Sequence, residues 1–278
     1  MQNSRITFLL FVLASLLLTS LQSLPARGQC DSSGQTFTNG EEISFIISYN
    51  WGPIWVDAGI VTFSTKLDKK KNKPAWHLTS TGRTFKSYDI LFKVRDTYET
   101  WIDTTNLQTI EFQRYIFEGG YQMQNRSWFD YSSRLVFSNS KINQDPMVTD
   151  TIKMIGCTYD MLSAVYYVRS LDLDSIKSGS NIPVYIALDD STYRIDIRMH
   201  GKEIIEHRDG TLYMCNKFSA IMVEGTIFSK DQETFVWVSD DPNKVPIYIE
   251  AKILVGSVKA YLKKATGLKY PLAIVKNK

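Results

Sequence analysis

The sequence runs to 278 residues, 44% hydrophobic and 13% aromatic, with three histidines, three cysteines and a formal net charge of +3. Two of the positive charges, Arg5 and Arg27, belong to an N-terminal leader, and without them the balance is +1, so there is no electrostatic footprint for nucleic acid. The chain beyond the leader is long enough for one large β domain or two small ones, with a substantial core.

Arg5 is a short positive n-region, and residues 6–18 are an almost unbroken apolar run of signal-peptide rather than membrane-spanning length. Ala26-Arg27-Gly28 then places small residues where a signal peptidase reads. The expectation is a signal peptide at 1–28, cleavage after Gly28, and a single β-rich domain at 29–278 with its core at 37–263, exported to the periplasm or the outer membrane. The alternative is a lipoprotein anchored through Cys30, against which Arg27 and Gln29 stand in the preceding positions. No later segment is apolar enough to span a bilayer, so no transmembrane segment is expected in the mature chain.

After a polar lead at 31–35, Ile43, Phe45, Ile47 and Tyr49 alternate with Ser44 and Ser48, the period of two of a half-buried strand. Trp51-Gly52-Pro53 turns the chain. Strands at 54–66 and 76–83 flank KLDKKKNK, read as the solvated tip of a hairpin, with docking to an anionic lipid or polymer as the alternative. Residues 88–92 fit neither period. Then Phe92, Val94, Asp96, Tyr98, Thr100 and Ile102 share one strand face, and Arg95, Thr97, Glu99 and Asp103 the other. Further strands are expected at 109–117, 121–131, 134–138 and 147–154, with turns at Gly119-Gly120 and Ser138-Asn139.

A helical period interrupts this pattern at 158–170, with Thr158 as N-cap and Asp160 in the first turn. Its apolar residues Met161, Leu162, Val165, Tyr166 and Val168 span a face too wide for a surface helix, which predicts burial against the sheet. Strands resume at 184–188 and 193–199, His200-Gly201 reads as a turn and Asp209-Gly210 as a hairpin, and strands at 212–218 and 221–228 come next. The stretch at 235–262 reads strand, turn, strand, glycine kink, strand, with Ile247, Ile249, Ala251 and Ile253 on one face of its middle segment. The predicted fold is mainly β: a large curved antiparallel sheet, half-barrel or barrel-like, with one principal helix packed on its concave side.

Several pieces of this pattern are distinctive together. Trp237-Val238-Ser239-Asp240-Asp241, Val245-Pro246 and Gly256 are joined by Asn39-Gly40-Glu41, Ala58-Gly59, Arg95-Asp96 with Tyr98-Glu99, and Tyr159-Asp160-Met161-Leu162-Ser163 running to Tyr166-Tyr167-Val168-Arg169. In combination they resemble the domain-of-unknown-function 3108 family of bacterial envelope proteins. The resemblance covers roughly 37–263. It implies an exported β-rich protein with no assigned activity, and so no catalytic roles to carry over.

Chemistry is thin. His77, His200 and His207 have no Cys or Glu at metal-ligand spacing, and there is no phosphate-binding glycine loop, Cys-x-x-Cys pair or Gly-x-Ser-x-Gly elbow. Ser138-x-x-Lys141 lies at a strand end and not on a helix. No enzyme, cofactor or metal is therefore expected. Asp189-Asp190 and Asp240-Asp241 are read as turn chemistry rather than calcium ligands. Cys157 and Cys215 are open between a disulfide and two small buried hydrophobes, a choice that depends on Cys30.

Asp96 is the more informative acid. On an apolar face its charge is expected to be buried and paired or hydrogen-bonded, with Arg83, Arg114 and Arg169 as candidate partners, either as a structural ion pair or as a polar anchor in a ligand cavity. Tyr166 and Tyr167 are the candidate hydroxyls for a ligand head group. Two functions fit this pattern. One is a non-catalytic carrier or binding module holding a lipid or other apolar or amphipathic ligand between sheet and helix; the other is an envelope protein–protein interaction or structural factor with a fully packed core.

Overall fold

The computed structural model describes residues 35–51, 54–221, 233–252 and 256–275; the leader, Cys30 and residues 222–228 of one predicted strand lie outside the described residues. Alternation builds the first strand, β1 (Glu42–Trp51), whose Ile43 and Phe45 are buried in the core. β1 pairs antiparallel with β2 (Ile54–Lys70), and the meander continues outward through β3 (Lys73–Thr84), β4 (Arg95–Asp103), β5 (Thr109–Glu118), β6 (Tyr121–Asp130), β7 (Leu135–Ile142) and β8 (Val148–Lys153). On the other side of β1 lies the last strand, β15 (Ser257–Thr266). Beyond it come β14 (Pro246–Lys252), β13 (Glu233–Ser239), β12 (Leu212–Ile221), β11 (Ser191–Glu206), β10 (Asn181–Leu188) and the two-residue β9 (Thr158–Tyr159). The predicted lysine-rich hairpin is the β2–β3 turn, closed by Lys71 and Asn72 at positive φ, the turn geometry that suits the twist of its strands.

The result is a 15-stranded sheet of two wings joined along the β1–β15 seam. Each neighbour adds roughly 20–25° of twist, so a sheet this wide curls on itself, as its alternation predicts. Thr192 at the start of β11 donates from Oγ1 to the Lys153 carbonyl at the end of β8 (2.7 Å), so the wings approach each other without a ladder between β8 and β9. The barrel stays open.

Three local expectations change. Ser138-Asn139 is not a turn: β7 runs on to Ile142, pairing these two residues with Asp150 and Thr149 of β8, and the chain turns after it, where Asn143 has positive φ. His200-Gly201 is not a turn: β11 runs on to Glu206, with a register shift between Met199 and Gly201. Gly201, at φ +113°, supplies the backbone conformation of such a bulge, which bends a long strand without ending it. The helix, α1 (Met161–Arg169), begins three residues later than Thr158, because Thr158 and Tyr159 pair with Tyr185 and Ile186 as β9 and leave Asp160 as the N-cap. Leu162 and Tyr166 are buried as predicted, whereas Val168 is half-buried and Met161 and Val165 remain 37% and 40% exposed, so the buried face is narrower than the apolar one.

Core packing places α1 on the concave side. Leu162 and Tyr166 join Phe37 from the segment before β1, Trp76 and Leu78 from β3, Ile102 from β4, Leu107 from the β4–β5 connection and Phe112 from β5. A second cluster, around Ile43, Phe45, Tyr213, Trp237, Ile247 and Leu262, packs the seam against β12–β14.

Candidate functional site

The concave side is organised by the two ends of α1. At its start, Oδ1 of Asp160 accepts from the amides of Leu162 (2.8 Å) and Ser163 (3.0 Å), while Ser163 Oγ accepts from the Asp160 amide (3.0 Å), completing a capping box. Oδ2 accepts from the hydroxyls of Thr100 on β4 (2.8 Å) and Thr109 on β5 (2.7 Å). A fully buried carboxylate thus has four donors, two from its own helix and two from the sheet. At the other end Arg169 donates to both oxygens of Glu41 (2.7 and 3.1 Å) and to the Asn243 carbonyl (3.0 Å). Asn243 is itself fixed through its side chain to the backbone of Tyr270. Glu41 and Arg169 are both buried, and the bidentate contact leaves neither charge unpaired away from water.

Between α1 and the sheet a cavity of about 100 Å³ remains, lined by Phe45, Phe63, Val165, Tyr166 and Ile249 among others. Of the three predicted ligand-binding residues only Tyr166 lines it. Its ring meets Phe37 edge-on at 4.9 Å, the Arg169 guanidinium lies 5.4 Å from the ring centre, and burial pushes its phenol well above the usual tyrosine range. Tyr167, one position on and turned to another side of the helix, stacks on Tyr159 of β9 at 4.5 Å. Asp96 lies on β4 four residues before Thr100, about 13 Å along the strand at ~3.3 Å per residue. The three side chains do not converge on one pocket.

Asp96 is buried, as expected, but no ion pair engages it among the described residues. Arg169 is taken by Glu41, Arg114 pairs with Asp189, and Arg83 lies opposite Arg95 in register. The register instead puts Asp96 beside the end of β5, where its Oδ1 accepts from the Phe117 amide (3.1 Å). Burial, opposed by that amide and helped by the neighbouring carboxyl of Glu118, raises its pKa to about 7.

The remaining candidates have local partners. Ser138 bonds Asn125 and Ser127 across the sheet, His77 bonds Glu99 and stacks on Trp101, and His207 bonds Asp209. His200 Nε2 lies 2.7 Å from Ser219 Oγ, yet no carboxylate engages its other nitrogen among the described residues. Cys157 is disulfide-bonded and Cys215 is free and buried, so these two do not pair with each other.

Of the residues that hold the site together, Thr100, Thr109 and Asn243 carry little in the sequence to mark them, whereas Glu41 and Asp160 lie in the motifs that carry the family resemblance. One local signal exists, the Asp160-x-x-Ser163 spacing of a capping box. Glu41 and Arg169 are 128 residues apart, and no periodicity links them.

A family model described as "Protein of unknown function (DUF3108)" matches residues 44–263. No curated protein matches this chain. Among solved structures, the chain is similar to a β-barrel-like protein of domain of unknown function DUF1849 from Brucella abortus, at 6% identity and a TM-score of 0.52, over 83% of this chain and 98% of that one. The likeness is one of fold. Among the described residues no helix is long and apolar enough to cross a membrane.

Proposed function

The chain belongs to the DUF3108 family, whose function is unknown, and on that premise we propose that it is an exported, non-catalytic envelope module with a packed interior, binding its partner through its outer surface. The observation that carries this reading is the latched helix. α1 fills the concave side and is tied to the sheet at both ends by buried charges whose groups are hydrogen-bonded to sheet and connections. The space left is about 100 Å³, roughly a third of the smallest volumes usual for small-molecule pockets, about 300 Å³. A lipid carrier built on this fold would have to break at least one latch to admit its cargo. Export is supported by the leader and by the Cys157 disulfide, a bond that persists in oxidising compartments.

Native mass spectrometry of the protein purified from its own envelope tests the reading. The expected mass is that of the processed polypeptide alone. A lipid retained at one per chain after gentle release would overturn it in favour of the carrier.

A further inference from the structure

Alternate ends of the meander meet along one rim of the first wing: the paired ends of β1 and β2 and the β3–β4, β5–β6 and β7–β8 connections. Their adjacency is fixed by backbone bonds, Phe85 amide to Ala58 carbonyl, Gly119 amide to Lys93 carbonyl and Asn143 amide to Gln122 carbonyl. Each tip exposes large apolar side chains: Ile54 and Trp55, then Ile90, Leu91 and Phe92, then Tyr121, then Met147 and Val148. The opposite rim of the same wing carries the lysine-rich hairpin and the polar turns at 103–108 and 130–134, with Leu67, Phe137 and Ile155 as exposed large hydrophobes at or near it.

The 85–93 loop is the most prominent tip, with Ile90 92% exposed. It is a closed turn: the amides of Tyr88, Leu91 and Phe92 donate to carbonyls of Phe85 and Tyr88, so its apex can enter an apolar medium without stranding these donors. Its acid, Asp89, is drawn back to the loop base by Arg95 (2.6 and 3.0 Å) and Thr84 (2.7 Å). Lys86 and Lys93 flank the apex and are not ion-paired among the described residues. Phe92 lies over Gly119, where a Cβ would collide with its ring, so the loop is braced on the next tip. The acids nearest the row are Glu118, beside Asp96, and Asp145 at the fourth tip.

We propose that this rim docks on an anionic lipid surface, the 85–93 loop inserting Ile90, Leu91 and Phe92 into the headgroup–acyl boundary while Lys86 and Lys93 engage the headgroups. A row of separate tips with bonded backbone, bulky apolar apices and flanking lysines matches an extended interfacial medium better than a concave protein partner. The inference deepens the reading of an outward-binding module and rests on it.

The test is vesicle flotation of the processed protein, its mass first checked for absence of acyl chains, with phosphatidylcholine vesicles containing or lacking phosphatidylglycerol. The wild type is expected to float with the anionic vesicles. Ile90→Ser/Leu91→Ser should weaken this at least about tenfold with an unchanged melting temperature, Lys86→Glu/Lys93→Glu should remove the preference for the anionic lipid, and Leu67→Ser should change nothing. The proposal fails if the wild type floats with neither vesicle, or if the serine variant floats like the wild type. It fails equally if the same variant abolishes self-association of a protein that ignores vesicles, which would assign the rim to a second copy of the chain. Failure here alongside a ligand-free native mass leaves the packed-interior reading standing.

Discussion

Two side chains make their surroundings measurable. A carboxyl group buried beside another carboxyl holds its proton to higher pH, and Asp96 next to Glu118 is in that position. With a folded pKa near 7 against roughly 3.9 unfolded, the native state binds the extra proton between those values. Stability from this site is therefore fully present below about pH 4 and is lost as pH rises towards 7. Asp96→Asn should flatten that decline, read from urea midpoints across the window; parallel profiles would place Asp96 in water. The Cys215 thiol, fully buried with Glu203, Asp240 and Asp241 nearby, is pushed up to about 12, chiefly by burial. It should resist thiol reagents in the native protein and label on unfolding. Native labelling at the rate of a free thiol would contradict its placement.

At the scale of elements, the ion pair predicted for Asp96 belongs to Glu41 and Arg169. Glu41→Ala leaves a buried guanidinium without its carboxylate, and the expected loss is about 3–5 kcal/mol by chemical denaturation. A change below about 0.5 kcal/mol would mean that α1 is not latched there. The strands themselves are legible in the sequence because a half-buried strand writes its two faces into alternate residues, as Asp96, Thr100 and Ile102 against Thr97, Glu99 and Asp103 on β4 show, although on β1 Ser44 and Ser48, read as the polar face, are buried as well. What alternation cannot encode is which strand pairs with which. The β1–β15 seam, the parallel contact of β9 with β10 and the Glu41–Arg169 pair all join residues distant in sequence. Thr158 misleads for a related reason: its helical period overlaps two residues whose backbone groups are claimed by β10. The candidate site is legible only in part. Tyr166 can be found because its burial follows from the helix period, whereas Tyr167 and Asp96 group with it as long as no register keeps them apart.

The described unit combines a curled sheet, with one latched helix packed on its hollow side, and an outer rim whose apolar tips lie on the side of a wing opposite the lysine-rich hairpin. The latched helix leaves a cavity of about 100 Å³ beneath it, small for a ligand chamber. It also has a dynamic consequence, that α1 is part of the global core and not a lid. Lids come from the low-stability end of a fold and open without unfolding the rest. Hydrogen exchange of the α1 amides under increasing denaturant tests this most directly. Amides of Ala164 and Ser170, which donate to Asp160 and Tyr166, should exchange only through global unfolding, with a denaturant dependence matching that of the sheet. Exchange through a smaller opening, nearly independent of denaturant while the β1 and β15 amides stay protected, would contradict the latched core and restore the helix as a gate.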